Sequence, residues 1–117
     1  RELDHCAGAH TGKKKLLCAG TGSRNKNGEI AGAGDIRAQI IQINENLRIS
    51  LKAAGASFKD LVSTTTYVTD IDEFFKHPDA RAAIFSESYP TSTTIEVRRL
   101  SQPELMVDIE VTAMVDE

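Results

Sequence analysis

Between positions 35 and 54 the apolar residues recur every three or four places, at Ile36, Ile40, Ile43, Leu47, Leu51 and Ala54. That spacing draws one apolar stripe down a helix, with Asp35 as its N-cap and Gly55 just past its end. Ile41 and Ile49 fall off the stripe, which predicts a second contact or a buried flank. Near the end of the chain the period changes to two. Leu105, Val107, Ile109, Val111, Ala113 and Val115 alternate with Met106, Asp108, Glu110, Thr112 and Met114, a strand with one apolar face and one mostly polar face. Upstream, "PTSTTIEVRR" from Pro90 sets Ile95 and Val97 on one face and Ser92, Thr94, Glu96 and Arg98 on the other. Across the turn "LSQPE" the two segments predict a terminal hairpin.

The middle of the chain adds a strand and a second helix. "DLVSTTTYVTDI" is rich in Val, Thr and Tyr and ends between Asp70 and Asp72, as a strand does. "DEFFKHPDARAAIFSESYP" is expected to be helical, turning Phe74, Ile84 and Phe85 to the core. Pro78 fits best at a first helical position, with His77 as cap. At the front, the segments flanking Thr11 and Gly12 suggest an opening hairpin, followed by a glycine-rich loop from Gly20 to Gly34. That loop matches neither phosphate-binding spacing, so its glycines are read as turn formers. The order ββ, α, β, α, ββ predicts one α+β domain over residues 1–117, an antiparallel-rich sheet with two helices on one face.

Composition narrows the function classes. The chain has 117 residues and a formal net charge of -3, with Lys13 to Lys15 as the one basic run and 5% aromatics. A nucleic-acid binder needs a basic stripe or stacking rings, so nucleic acid is not expected as a partner. The longest apolar runs are a few residues, so no membrane partner is expected. No secretory signal is visible, and a cytoplasmic protein is expected. Cys6 and Cys18 lack zinc-site spacing and are read as two reduced thiols, while His5, His10 and His77 form no HxxxH pair. No metal is expected.

The pieces "LLCAGTGSR", "DIRAQIIQINENLRISLKAAGASFKDLV", "TTTYVTDIDEF" and "YPTSTTIEVRRLSQPELMVDIEVTAMV" together resemble the RidA/YjgF (L-PSP) family of enamine/imine deaminases. "GTGSR", "DIRAQ" and "QPELMVDIEV" are most similar to its 2-aminomuconate deaminase branch. The resemblance implies a chorismate-mutase-like two-layer sandwich and a homotrimer, with small-molecule clefts at the subunit interfaces. It also implies metal-free and cofactor-free hydrolysis of an enamine or imine to a ketone and ammonia.

Such chemistry needs a guanidinium to grip the substrate carboxylate and an acidic group to move a proton. In the family the arginine stands two residues after the strand's proline, where this chain has Ser92. The acidic position falls on Asp108, the substrate-binding backbone amide on Gly20, and a helix asparagine of many active members on Pro78. From the residues themselves, Thr94 shares a face with Ser92, and Arg81 lies three residues after Pro78 on the same helical side, placed to return a guanidinium. Asp108 reads equally as a cross-hairpin partner of Arg98, and Arg81 as an ordinary surface residue. Two functions follow: an enamine or imine deaminase with an altered site, or a non-catalytic small-molecule-binding or interaction protein on the same trimer.

Overall fold

The computed structural model describes residues 14–116. Four strands form one sheet: β1 (Lys14–Gly22), β2 (Leu61–Val68), β3 (Thr91–Glu96) and β4 (Val107–Asp116). The order across it is β1-β4-β2-β3, with β4 antiparallel to both its neighbours and β3 parallel to β2. Helix α1 (Ile36–Ala53) covers one face, joined at its edge by the single turns α2 (Ile71–Phe74) and α3 (Pro78–Arg81). The architecture is α+β with a mixed sheet. The first arm of the expected opening hairpin lies outside the described residues.

Helix α1 follows its sequence pattern closely. Asp35 accepts from the Ala38 backbone N–H at 3.1 Å, and Gly55 takes a φ of +84° just past the C-cap. Ile36, Ile40, Ile43, Leu47 and Leu51 are buried against Leu17, Ile109, Val111 and Ala113 of the sheet. Ile41 and Ile49, expected to find a second contact, are 52% and 53% exposed in the single chain.

The terminal hairpin is corrected. Segments β3 and β4 are not neighbours, because β4 inserts between β1 and β2 and sends β3 to the edge. Burial decides the order. Strand β4 hides Val107, Ile109, Val111 and Ala113 completely enough to require a central place, whereas β3 has Thr94 as its only part-buried residue. The expected second helix is also corrected, into α2, α3 and a 3₁₀ turn (Ala82–Phe85). Pro78 occupies the first helical position of α3 and interrupts the preceding turn, since it brings no N–H. Arg37 on α1 holds Asp79 of α3 through a two-pronged ion pair. The carboxyl of Asp79 is pushed far below its usual range, chiefly by that hydrogen bond.

The glycine-rich loop folds on itself. Ser23 is buried and donates through Oγ to the Ala31 carbonyl at 3.0 Å, and Asn25 Oδ1 accepts from the backbone of Asn27 and Glu29. Gly32 is needed where it stands: its φ is +75°, and a Cβ there would lie 2.8 Å from that of Ala38. Cys18 is disulfide-bonded, which overturns the reading of two reduced thiols; Cys6 lies outside the described residues. Among the described residues no helix is long and apolar enough to cross a membrane.

A polar residue on α1 completes the packing. Gln39 has no exposure, donates to the Gly32 and Glu104 carbonyls at 3.1 and 2.8 Å, and accepts from the Met106 N–H at 2.8 Å. Replacing it with an apolar isostere strands all three backbone groups, and each buried unpaired group costs about 1–3 kcal/mol. Gln39→Leu is therefore expected to lower the unfolding free energy by roughly 2 kcal/mol or more. Urea titration that shows no loss would contradict this account of the loop.

Candidate active site

A strand shows alternate residues to opposite faces of its sheet, so the register distributes the candidate residues. On β4, Ile109 and Val111 face α1, while Asp108, Glu110 and Thr112 face away. On β2, Thr64 and Thr66 are buried beneath the helices, with Thr65 and Tyr67 on the open side. Ser92 and Thr94 stand in register with Thr64 and Thr66 and point with them toward the helices. The candidates thus fall into two groups, one on each face.

The open face carries Asp108 and Gly20. Asp108 is half-buried, with Gly22 of β1 and Tyr67 of β2 as its cross-strand neighbours. Arg98 is not among them, because β3 and β4 do not pair. Burial pushes the Asp108 carboxyl up, and the charge of Glu110 on the same face adds to the shift. Tyr67 donates to Glu110 Oε1 at 3.0 Å, and that bond raises the phenol's own pKa. Gly20 pairs with Glu110 so closely that a Cβ would lie 3.1 Å from Glu110 Cγ. A shallow concavity between Gly20, Ser63, Thr65, Glu110 and Thr112 opens beside them.

The helix-covered face carries the other group. Arg81, Ser92 and Thr94 line one small cavity with Asn44 of α1 and Thr64 of β2. The Arg81 guanidinium stacks on Phe74 and Phe75, its Cζ 4.8 and 4.5 Å from the ring centroids. Pro78 starts the same turn and offers no side-chain hydrogen bond. A guanidinium placed at Ser92 would enter the Arg81 cavity rather than the neighbourhood of Asp108. Asn44, Thr64, Tyr67 and Glu110 were not candidates from the sequence. Their signal lies in strand order and helix rotation, which the pattern of one chain does not carry. Among the described residues no cluster of three His, Cys, Asp or Glu side chains is placed to hold a metal ion.

Fold and site together define a two-layer α+β protein with a half-buried carboxylate, its pKa raised by burial, on the open sheet face. The family model described as Endoribonuclease L-PSP matches residues 8–115, and the chain belongs to that family, the one its RidA/YjgF-like motifs resemble. It is 39% identical over 88 residues to a RutC family protein of Pyrococcus horikoshii, covering 75% of this chain and 68% of the relative. It is 32% identical over 92 residues to the 2-iminobutanoate/2-iminopropanoate deaminase of Escherichia coli, covering 76% of this chain and 70% of the relative. A solved Rid-family protein of Yersinia pestis superposes with a TM-score of 0.79 at 31% identity, covering 91% of this chain and 83% of that one.

The Asp108 shift has a consequence for stability with a definite sign. A raised pKa in the folded state means that folding tightens the hold on this proton. The stabilisation is fully present below the ordinary aspartate range and is lost as pH rises through the raised value. Asp108→Asn removes that loss. The variant is expected to match its parent near pH ~3 and to exceed it at pH ~7, measured by denaturant unfolding at both. A pH-independent difference would rule out a raised Asp108.

Proposed function

We propose that this chain hydrolyses a small enamine or imine, of the 2-aminoacrylate or 2-aminomuconate kind, to a ketone and ammonia. Its family membership and its likeness to a 2-iminobutanoate/2-iminopropanoate deaminase support imine chemistry. The observation that carries the proposal is Asp108, half-buried, with its pKa raised by burial and by the charge of Glu110. A carboxyl so placed can deliver a proton to the imine and take one from attacking water. Gly20 offers backbone to the same face, while Ser92, Thr94 and Arg81 supply hydroxyls and a cation on the other.

This reading includes assembly as a homotrimer with ligand clefts between subunits. The open face supports it, since among the described residues no second layer covers Asp108, Glu110, Thr65 and Tyr67, and Ile95 is 41% exposed there. Light scattering at micromolar concentration is expected to return three chain masses; a monomer would remove the interface cleft.

A second reading, a non-catalytic binding protein on the same fold, is favoured by one observation. The sheet separates Arg81 and Ser92 from Asp108, so a small molecule cannot touch both groups of one chain. Ammonia release decides between the two. The parent is expected to release ammonia from 2-aminoacrylate or 2-aminomuconate, and Asp108→Asn to slow it by roughly 10²–10⁴-fold, as loss of a general acid–base group does. Equal, background rates for parent and variant would leave the binding reading.

A further inference from the structure

Two carboxylates share the open face of β4, and both neighbouring strands shape the place of the second. Asp108 and Glu110 stand two residues apart, so their side chains leave the same face. The register sets Thr65 opposite Glu110 and Tyr67 opposite Asp108. Tyr67 does not stay in its own row. Its hydroxyl reaches diagonally and donates to Glu110 Oε1 at 3.0 Å, a span that an aromatic side chain covers. On the other side Gly20 has no side chain, and a Cβ there would press on Glu110 Cγ at 3.1 Å. One strand leaves room for Glu110 and the other tethers it.

An exposed glutamate without a tether spreads over its rotamers, and water screens its charge. Here the carboxylate is held by the phenol that stands opposite Asp108. Among the described residues the strands present no cation beside the two acids. Gly20 and Gly22 of β1 bring no charge, and Thr65 and Thr112 bring hydroxyls alone. Cys18 lies on this face too, but it is disulfide-bonded and does not titrate. Farther along, Lys14 and Asp116 pair with each other at 2.6 Å. Tyr67 is the remaining titratable group, and its bond to Glu110 raises the phenol's pKa, so it stays a donor.

We propose that Tyr67 is a positioning residue of the Asp108 site: its hydroxyl fixes the Glu110 carboxylate on the open face, where that charge opposes departure of the Asp108 proton. The use of the proton on an imine rests on the deaminase reading; the pairing itself does not. An acid that gives a proton to an imine must recover it from water in the same turnover. A neighbour of fixed charge lets one carboxyl do both at a higher pH than it would alone. Tyr67 touches no reacting atom in this scheme and acts through Glu110.

NMR titration of the Asp108 carboxyl carbon, its signal assigned by its loss in Asp108→Asn, reads the pairing without any turnover. Glu110→Gln removes the charge and is expected to move the Asp108 midpoint to lower pH. Tyr67→Phe keeps the ring and removes the tether, and it is expected to move the midpoint the same way, by no more than Glu110→Gln does. In the double variant the missing hydroxyl has nothing left to act through, so its midpoint should match that of Glu110→Gln. A midpoint unmoved or raised in Tyr67→Phe, or a double variant lower than Glu110→Gln, would overturn the proposal. In ammonia release, Tyr67→Phe is expected to lower kcat at pH ~7 by roughly three- to tenfold with KM unchanged, and to regain it at lower pH. An unchanged rate profile beside a shifted midpoint would remove Tyr67 from the catalytic arrangement. Shifted midpoints in a chain that releases no ammonia from any imine would refute the deaminase reading alone.

Discussion

Gln39 holds three backbone groups from two separate segments in the dry layer between α1 and the sheet. One amide reaches the glycine-rich loop at Gly32 and both sides of the approach to β4, at Glu104 and Met106. The connection from β3 must cross from one edge of the sheet to its centre, and this is where it is pinned before β4 begins. Thr69 adds a second tie, donating its backbone N–H to the Met106 carbonyl at 3.1 Å. Without these bonds the connection would carry unpaired buried polar groups, a worse cost than leaving the hairpin unsplit. A polar residue on an apolar stripe thus stands behind the central placement of β4.

That placement governs the chemistry. With β4 between β1 and β2, Asp108 lies among Gly22, Tyr67 and Glu110 rather than against a cation, and its carboxyl rises instead of falling. Had β3 been its neighbour, Arg98 would have been in position to pair with it and to depress it. The same strand order leaves β3 at the edge, where its polar side faces short turns in place of a full helix. Turns of four residues roof that edge incompletely, and the gap is the Arg81 cavity. Both candidate constellations are consequences of one topological choice.

Long elements with a clean period were legible in the sequence. The ends of α1 were marked by Asp35 and Gly55, and the alternation in β4 foretold which residues are buried. Strand order was not, because "PTSTTIEV" alternates equally well as a hairpin arm and as a parallel edge strand. Pro78 signalled a helix start, but nothing local showed that three turns too short to pack as one helix would result. The candidate residues were located by motif, and their separation onto two faces depends on pairing between segments about forty positions apart, such as Tyr67 with Glu110. Periodicity within a segment carries no information about that.

The position of the cation follows from the same logic. A guanidinium on β3 would rise from an edge strand with solvent on one side and would need a carboxylate or a partner to hold it. Arg81 is held already: Phe74 precedes it by two turns, and the two rings meet edge to face at 5.5 Å, with the guanidinium lying over both. Its conformational freedom is therefore largely spent in folding. A hydroxyl at Ser92 is what such an arrangement requires across the cavity, since a second guanidinium there would repel the first. Strand β3 begins with small polar residues, and Ser92 and Thr94 line the cavity with Arg81.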